Sequence, residues 1–330
     1  MGTGQSVITM GRIGVDLYPL ETGKGLGEVS TFGKFLGGSS TNVAVAAARL
    51  GHADVAAVTA VGGDPFGRWL REEMRRLGVS DRYVQTVDDL PTPITFCEIF
   101  PPDNFPLYFY RRPTAPDLQI SPYDIPLGDI VDADVFWFTG TGLCQEPSYW
   151  THLTALQNRG GRQHTVFDLD WREVFWRERR VAFDRYADAL RYSTVAVGNR
   201  EECEVAVGET DPERAADALL ERGVEIAVVK QGPRGTLAKT RDDRVEVAPT
   251  RATIVNGLGA GDAFGGSLID GLLRGLSLGS MIERAGAAGA IVASRLECST
   301  AMPTAVEIDA VVAAGTTDVL DTWVPRLHSM

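Results

Sequence analysis

The chain has 330 residues, of which 44% are hydrophobic and 23% charged, a balance that excludes the disordered, collagen-like and disulfide-scaffold classes. Its 32 Lys and Arg face 44 Asp and Glu, a net charge of −12. Such a surface repels phosphate backbones and anionic lipids, so neither nucleic acid nor a membrane is an expected partner.

No charged segment followed by an apolar core opens the chain, and no apolar run approaches the roughly 18 residues of a membrane span. Cys97, Cys144, Cys203 and Cys298 stand apart, without C-x-x-C pairing. They read as separate thiols of a cytoplasmic protein, not a disulfide framework or a zinc site. In chain order, residues 13–35 are Gly-rich and outside the main pattern, and Gly23-Lys-Gly25-Leu-Gly27 reads as a turn, because no helical pattern follows it. Asn42–Leu50 reads as a helix, Val55–Val61 as a buried strand and Pro65–Leu77 as a helix. Residues 91–112 carry alternating and aromatic residues and read as further strands outside the main sheet. Strands at Val135–Thr139, His164–Asp168, Val195–Gly198 and Ile226–Lys230 then alternate with helices at Pro147–Arg159, Val181–Arg191 and Pro212–Arg222. Ala260–Leu276 and Leu278–Ser294 are consecutive helices rich in small residues, expected to pack against the sheet edge. The alternation predicts an α/β fold with a mostly parallel sheet covered on both faces. Residues 13–35 and 91–112 form a small β layer over the end of the sheet where such folds bind ligands. Without a repeat or a linker, residues 1–330 read as a single domain.

Four elements carry chemistry. Asn256-Gly-Leu-Gly-Ala-Gly-Asp262 stands directly before a helix, where free backbone N–H groups and the helix dipole bind an anion. A carboxylate beside a phosphate site repels it, unless that carboxylate accepts a proton from an attacking hydroxyl. An aspartate helix cap is the plainer account of Asp262 taken alone, and the three glycines around it favour the chemical one. Gly37-Gly38-Ser-Ser-Thr-Asn42 suits hydroxyl recognition or simple capping. Asn199-Arg-Glu-Glu202 suits either a helix cap or orientation of Mg²⁺ and its waters. Lys230-Gln-Gly232-Pro-Arg-Gly235 reads as a strand end and hairpin turn. No G-x-x-x-x-G-K-S/T loop and no protein-kinase motif set occurs, nor does a strand-Gly-x-Gly-x-x-Gly-helix unit of a dehydrogenase.

Gly37 to Gly51 and Asn256 to Phe264 resemble the two signatures of the ribokinase-like, or PfkB, sugar kinases, and Asn199 to Glu202 resembles their N-x-x-E motif. The resemblance runs from Gly11-Arg-Ile-Gly-Val-Asp16 to the terminal helices. It implies a ribokinase-like fold with a β lid and an ATP- and Mg²⁺-dependent carbohydrate kinase, dimerising through the lid. By the same resemblance, Asp262 is the general base and Gly259, Ala260 and Gly261 form the anion hole. Asp16, Gly37, Gly38 and Asn42 bind substrate hydroxyls, Asn199 and Glu202 organise Mg²⁺ through water, and Lys230, Gly232 and Gly235 border the nucleotide. Where the family signature usually opens Asp-Thr, this chain has Asn256-Gly257, which puts the family's monovalent-cation site in question. Thr95 to Asp103, Leu107 to Pro113 and Ala293 to Ser299 are similar to family members acting on keto-deoxy sugar acids. An acid substrate on a protein of net charge −12 needs a local positive site, and guanidinium forks bind carboxylates in pairs of hydrogen bonds. Arg172, just past the strand ending at Asp168, and Arg111 in the lid are the expected partners. Rival readings are a kinase for 2-keto-3-deoxygluconate or fructose, and a non-catalytic sugar-binding regulator.

Overall fold

The computed structural model describes residues 5–322. Nine strands form the main sheet, in the spatial order β13 (Arg244–Val247), β12 (Thr236–Lys239), β11 (Ile226–Lys230), β10 (Val195–Asn199), β9 (Thr165–Asp168), β8 (Val135–Thr139), β1 (Ser6–Met10), β4 (Asp54–Gly62), β5 (Val84–Val87). Every pairing from β11 to β5 is parallel, and β12 and β13 close one edge as antiparallel strands. A second sheet has the order β3 (Phe32–Gly37), β2 (Gly14–Pro19), β6 (Ile94–Cys97), β7 (Leu107–Tyr110). This is the expected lid, drawn from the two segments that broke the alternation.

The side-chain period of two explains why the main sheet needs helices on both sides. On β8, Val135 and Trp137 enter one core while Phe136 and Phe138 enter the other, and on β1 Val7 opposes Ile8 and Met10. Helices Ser39–Arg49, Ala260–Leu273 and Leu278–Ala293 cover the Trp137 face. Ser148–Arg159, Arg179–Leu190, Arg200–Val207 and Pro212–Glu221 cover the Phe138 face.

Two expectations change. The strand β1, buried between β8 and β4, was not anticipated, because a five-residue apolar run beside a Gly-rich segment carries almost no periodic signal. The helix Ala260–Leu273 also packs on the middle of the sheet rather than its edge: a Cβ at Gly265 would lie 2.7 Å from the Trp137 ring, and one at Gly266 2.3 Å from the Ala46 Cβ. Those glycines let it touch Ser39–Arg49 almost backbone to backbone.

Candidate active site

At the carboxyl ends of the parallel strands, beneath the lid, lies a cavity of about 700 Å³. Its walls include Arg12, Asp16, Gly38, Asn42, Arg172, Asn199, Gly259, Gly261, Asp262 and Cys298, so residues from nearly every stretch of the sequence converge on it. A second cavity, about 310 Å³ and lined mostly by apolar groups such as Val247, Pro249, Ile254, Phe264 and Ile282, adjoins it. Gly232 and Gly261 line both, which makes the start of the helix Ala260–Leu273 the boundary between the two.

Gly259 caps that helix with φ 80°, a left-handed conformation suited to glycine, and no side chain caps the first turn. The first-turn N–H groups therefore face the cavities with no intrahelical partner. Asp262 is the third residue of the helix, not its cap. Its Oδ2 accepts a 2.8 Å hydrogen bond from Nδ2 of Asn42, which joins the two glycine-led helices at their tips. Burial pushes the Asp262 carboxyl up to about 7, against the pull of the Asn42 hydrogen bond and of Arg12 and Arg172. The Sγ of Cys298 lies 3.9 Å from the same Oδ2.

Gly37 does not line the cavity. A Cβ there would fall 2.1 Å from Cγ of Asp16, so its role is to let β3 pass across that carboxylate. Gly38, at φ 108°, would drive a Cβ to 2.3 Å from the Arg12 carbonyl. Asp16 is buried and receives the Tyr18 hydroxyl at 3.3 Å. Burial raises it to about 6 even though Arg12, Tyr18 and Thr95 favour the charged form. The Oδ1 of Asn42 is buried and has no hydrogen-bond partner, an acceptor facing a cavity shaped for a polar ligand.

Asn199 and Glu202 form a capping box: Oδ1 of Asn199 accepts the Glu202 N–H at 2.9 Å, and Oε2 of Glu202 accepts the Asn199 N–H at 2.6 Å. The helix-cap reading of this motif is thus the local geometry, and Asn199 alone of the pair lines the cavity. Among the described residues no three His, Cys, Asp or Glu side chains converge as a metal cage. A hard cation that keeps several waters needs no such cage, and Asn199 is the member of the pair whose side chain could meet such a water, with Glu202 fixed behind it. Lys230 and Gly235 border the smaller cavity. Burial opposes the charge of Lys230, but Glu202, Asp168 and Asp262 hold its pKa above the ordinary value.

The two expected arginines separate. Arg172 lines the main cavity and lies 3.3 Å from Asp170. Arg111 does not line it: its guanidinium makes a buried 2.7 Å ion pair with Asp117 and stacks over Phe175. Arg111 sits past the end of that strand, where alternation no longer decides its direction, and the buried Asp117 claims it. Arg12 takes the place expected for Arg111. Arg12 belongs to the Gly11–Asp16 stretch that opens the family resemblance, but nothing there gave it a role beyond its position between a sheet strand and a lid strand. Asn256, completely buried, donates to the Leu296 carbonyl at 2.7 Å and accepts the Leu258 N–H at 3.1 Å, so both polar ends are already engaged.

The family described as pfkB carbohydrate kinase matches residues 5–305. A 5-dehydro-2-deoxygluconokinase of Photobacterium profundum is 33% identical over 305 residues, covering 90% of this chain and 91% of its own length. Among solved structures, a putative ribokinase II from E. coli in complex with ATP and Mg²⁺ superposes with a TM-score of 0.84 at 21% identity, over 94% of this chain and 99% of that one. A 2-dehydro-3-deoxygluconokinase from Thermotoga maritima gives 0.81 at 21% identity, with the same coverage. The two structures establish likeness of fold.

Proposed function

We propose, from the premise that this chain belongs to the pfkB family of carbohydrate kinases, that it transfers the γ-phosphoryl group of ATP to the 6-hydroxyl of 5-dehydro-2-deoxy-D-gluconate. That step lies in the cytoplasmic catabolism of myo-inositol. The observation that carries the reading is the junction of the two cavities at an uncapped helix start, with a carboxylate of raised pKa on the wider side. The narrow apolar cavity takes the adenine, with Lys230, Gly232 and Gly235 along the phosphates. The amides of Gly259, Ala260 and Gly261 receive the transferring phosphoryl group, whose charge they stabilise without reorganisation. Asp262 accepts the proton of the attacking hydroxyl as it adds to phosphorus. Asp16, Gly38 and Asn42 hold the other hydroxyls, Gly37 supports Asp16, and Arg172 takes the carboxylate. Mg²⁺ bound with the nucleotide would neutralise phosphate charge, its waters ordered by Asn199 at the cavity wall and by Glu202 through their capping box. Residues 1–330 act as one catalytic domain, with the lid closing over the sugar. The free edge of β7, where Tyr110 is 66% exposed, is where a second copy would pair to form a homodimer.

The relatives named 5-dehydro-2-deoxygluconokinase support the substrate. A coupled ADP-release assay across keto-deoxy sugar acids, 2-keto-3-deoxygluconate and neutral hexoses tests it. The highest kcat/KM is expected for 5-dehydro-2-deoxygluconate, and a preference for fructose over every acid overturns the assignment. Because the base works only when deprotonated, and Asp262 ionises near 7, kcat/KM should rise about tenfold per pH unit below that value and level off above it. A flat profile between pH 5.5 and 8 removes Asp262 as the base. Asn256 presents a neutral, hydrogen-bonded amide where a cation site would want charge. Titration of KCl at constant ionic strength should therefore give shallow activation or none, and steep saturation at low millimolar K⁺ refutes this.

A further inference from the structure

We infer that Arg12 and Arg172 form a two-armed clamp for the substrate carboxylate, set in position by Asp170, a residue that touches neither substrate nor phosphate. This rests on the sugar-acid reading above and names the group that makes the site selective for an acid. Arg12 follows β1 and Arg172 follows β9, so the two arms come from different strands of the main sheet. They meet on one carboxylate: Arg12 Nε is 3.8 Å from Oδ2 of Asp170, and Arg172 Nη2 is 3.3 Å from Oδ1. Asp170 is itself fixed, buried, with Oδ2 receiving the hydroxyls of Ser39 at 2.7 Å and Thr141 at 3.0 Å. It also holds φ 31°, a value that non-glycine residues rarely adopt and that surrounding structure must enforce. The Arg12 guanidinium lies over the Phe109 ring at 5.6 Å, so the lid holds the arm from the other side.

Both arms are incompletely satisfied. The Nε of Arg12 and the Nε of Arg172 are buried and make no hydrogen bond, and such donors are costly to leave unpaired. Two guanidinium groups share the single charge of Asp170, a local positive excess at this corner of the cavity that suits a carboxylate, while Asp16 and Asp262 line other parts of the wall. A neutral sugar would leave that charge unanswered. A sugar acid completes it, and the planar forks of both arginines suit a carboxylate.

The test compares KM for 5-dehydro-2-deoxygluconate with KM for its uncharged C1 amide, in wild type, Arg12→Gln, Arg12→Lys and Asp170→Asn, each checked for unchanged melting temperature. Arg12→Gln should raise KM for the acid about 30-fold or more, the scale of breaking a desolvated charge pair. KM for the amide should change less than about threefold. Arg12→Lys should recover part of the acid preference, since it returns the charge without the fork. Asp170→Asn should erode the same preference while the amide is handled as before. A structural defect would move both substrates together. If Arg12→Gln lowers kcat equally for acid and amide at constant KM, Arg12 serves the phosphoryl group and the clamp is wrong. If wild type itself prefers neutral sugars, the sugar-acid reading fails first, an outcome distinct from wild-type acid preference that survives loss of Arg12.

Discussion

Asp262→Asn is expected to lower kcat by about 10² to 10⁴, the usual contribution of a positioned general base, while Kd for MgATP stays within a factor of about three of wild type. The two halves of this expectation have separate structural origins. The proposed phosphate cradle is backbone, set by Gly259 and the uncapped first turn, and an amide at position 262 should not disturb it. The proposed proton acceptor is one side-chain oxygen pair, and asparagine keeps its shape and its contact with Asn42 but not its basicity. Single-turnover phosphoryl transfer at saturating MgATP and sugar acid, with nucleotide binding measured by calorimetry, checks both. A single-turnover rate within a few-fold of wild type would mean that the hydroxyl loses its proton elsewhere. The same variant should also lose the rise in kcat/KM near pH 7, since the group responsible for it is gone.

The second large effect is expected at Arg172. Removing one member of a desolvated charge pair costs about 2–5 kcal/mol, mostly from the charge left unanswered. Arg172 keeps 39% of its side chain exposed, so water screens part of that loss and the lower end applies, about 2 kcal/mol or 30-fold in KM for the acid. Arg172→Met should leave KM for ATP unchanged, because the nucleotide is assigned to the cavity around Lys230 and Gly235, whose walls do not include Arg172. Initial-rate kinetics with each substrate varied in turn decides this. Equal increases for both substrates would show a collapsed site rather than a lost carboxylate partner.

What could be read before the structure follows from how far apart the cooperating residues lie. The elements around Gly38 and Gly259 are local: glycine, hydroxyl and carboxylate residues at a helix start carry their chemistry within seven or eight positions. The lid was visible because residues 91–112 alternate where the rest of the chain does not. Asn199 and Glu202 show the limit of a local pattern, since three-residue spacing serves a capping box and a metal-water site equally, and the structure shows the box. The pairing of Arg12 with Asp170 joins two residues 158 positions apart through no motif at all. Only the adjacency of β1, β8 and β9 in the sheet brings them together. Arg111 was misplaced for the converse reason: its neighbours in sequence belong to the lid, but its charge answers Asp117, six positions on.

The close contact of Gly266 with Ala46 bears on the site above it. The helices that carry Asn42 and Asp262 at their tips are braced against each other below the cavity, so the spacing of those two side chains depends on two small residues that line neither cavity. A methyl group added at Gly266 would lie 2.3 Å from the Ala46 Cβ, so the two helices would have to part and carry Asn42 and Asp262 away from each other.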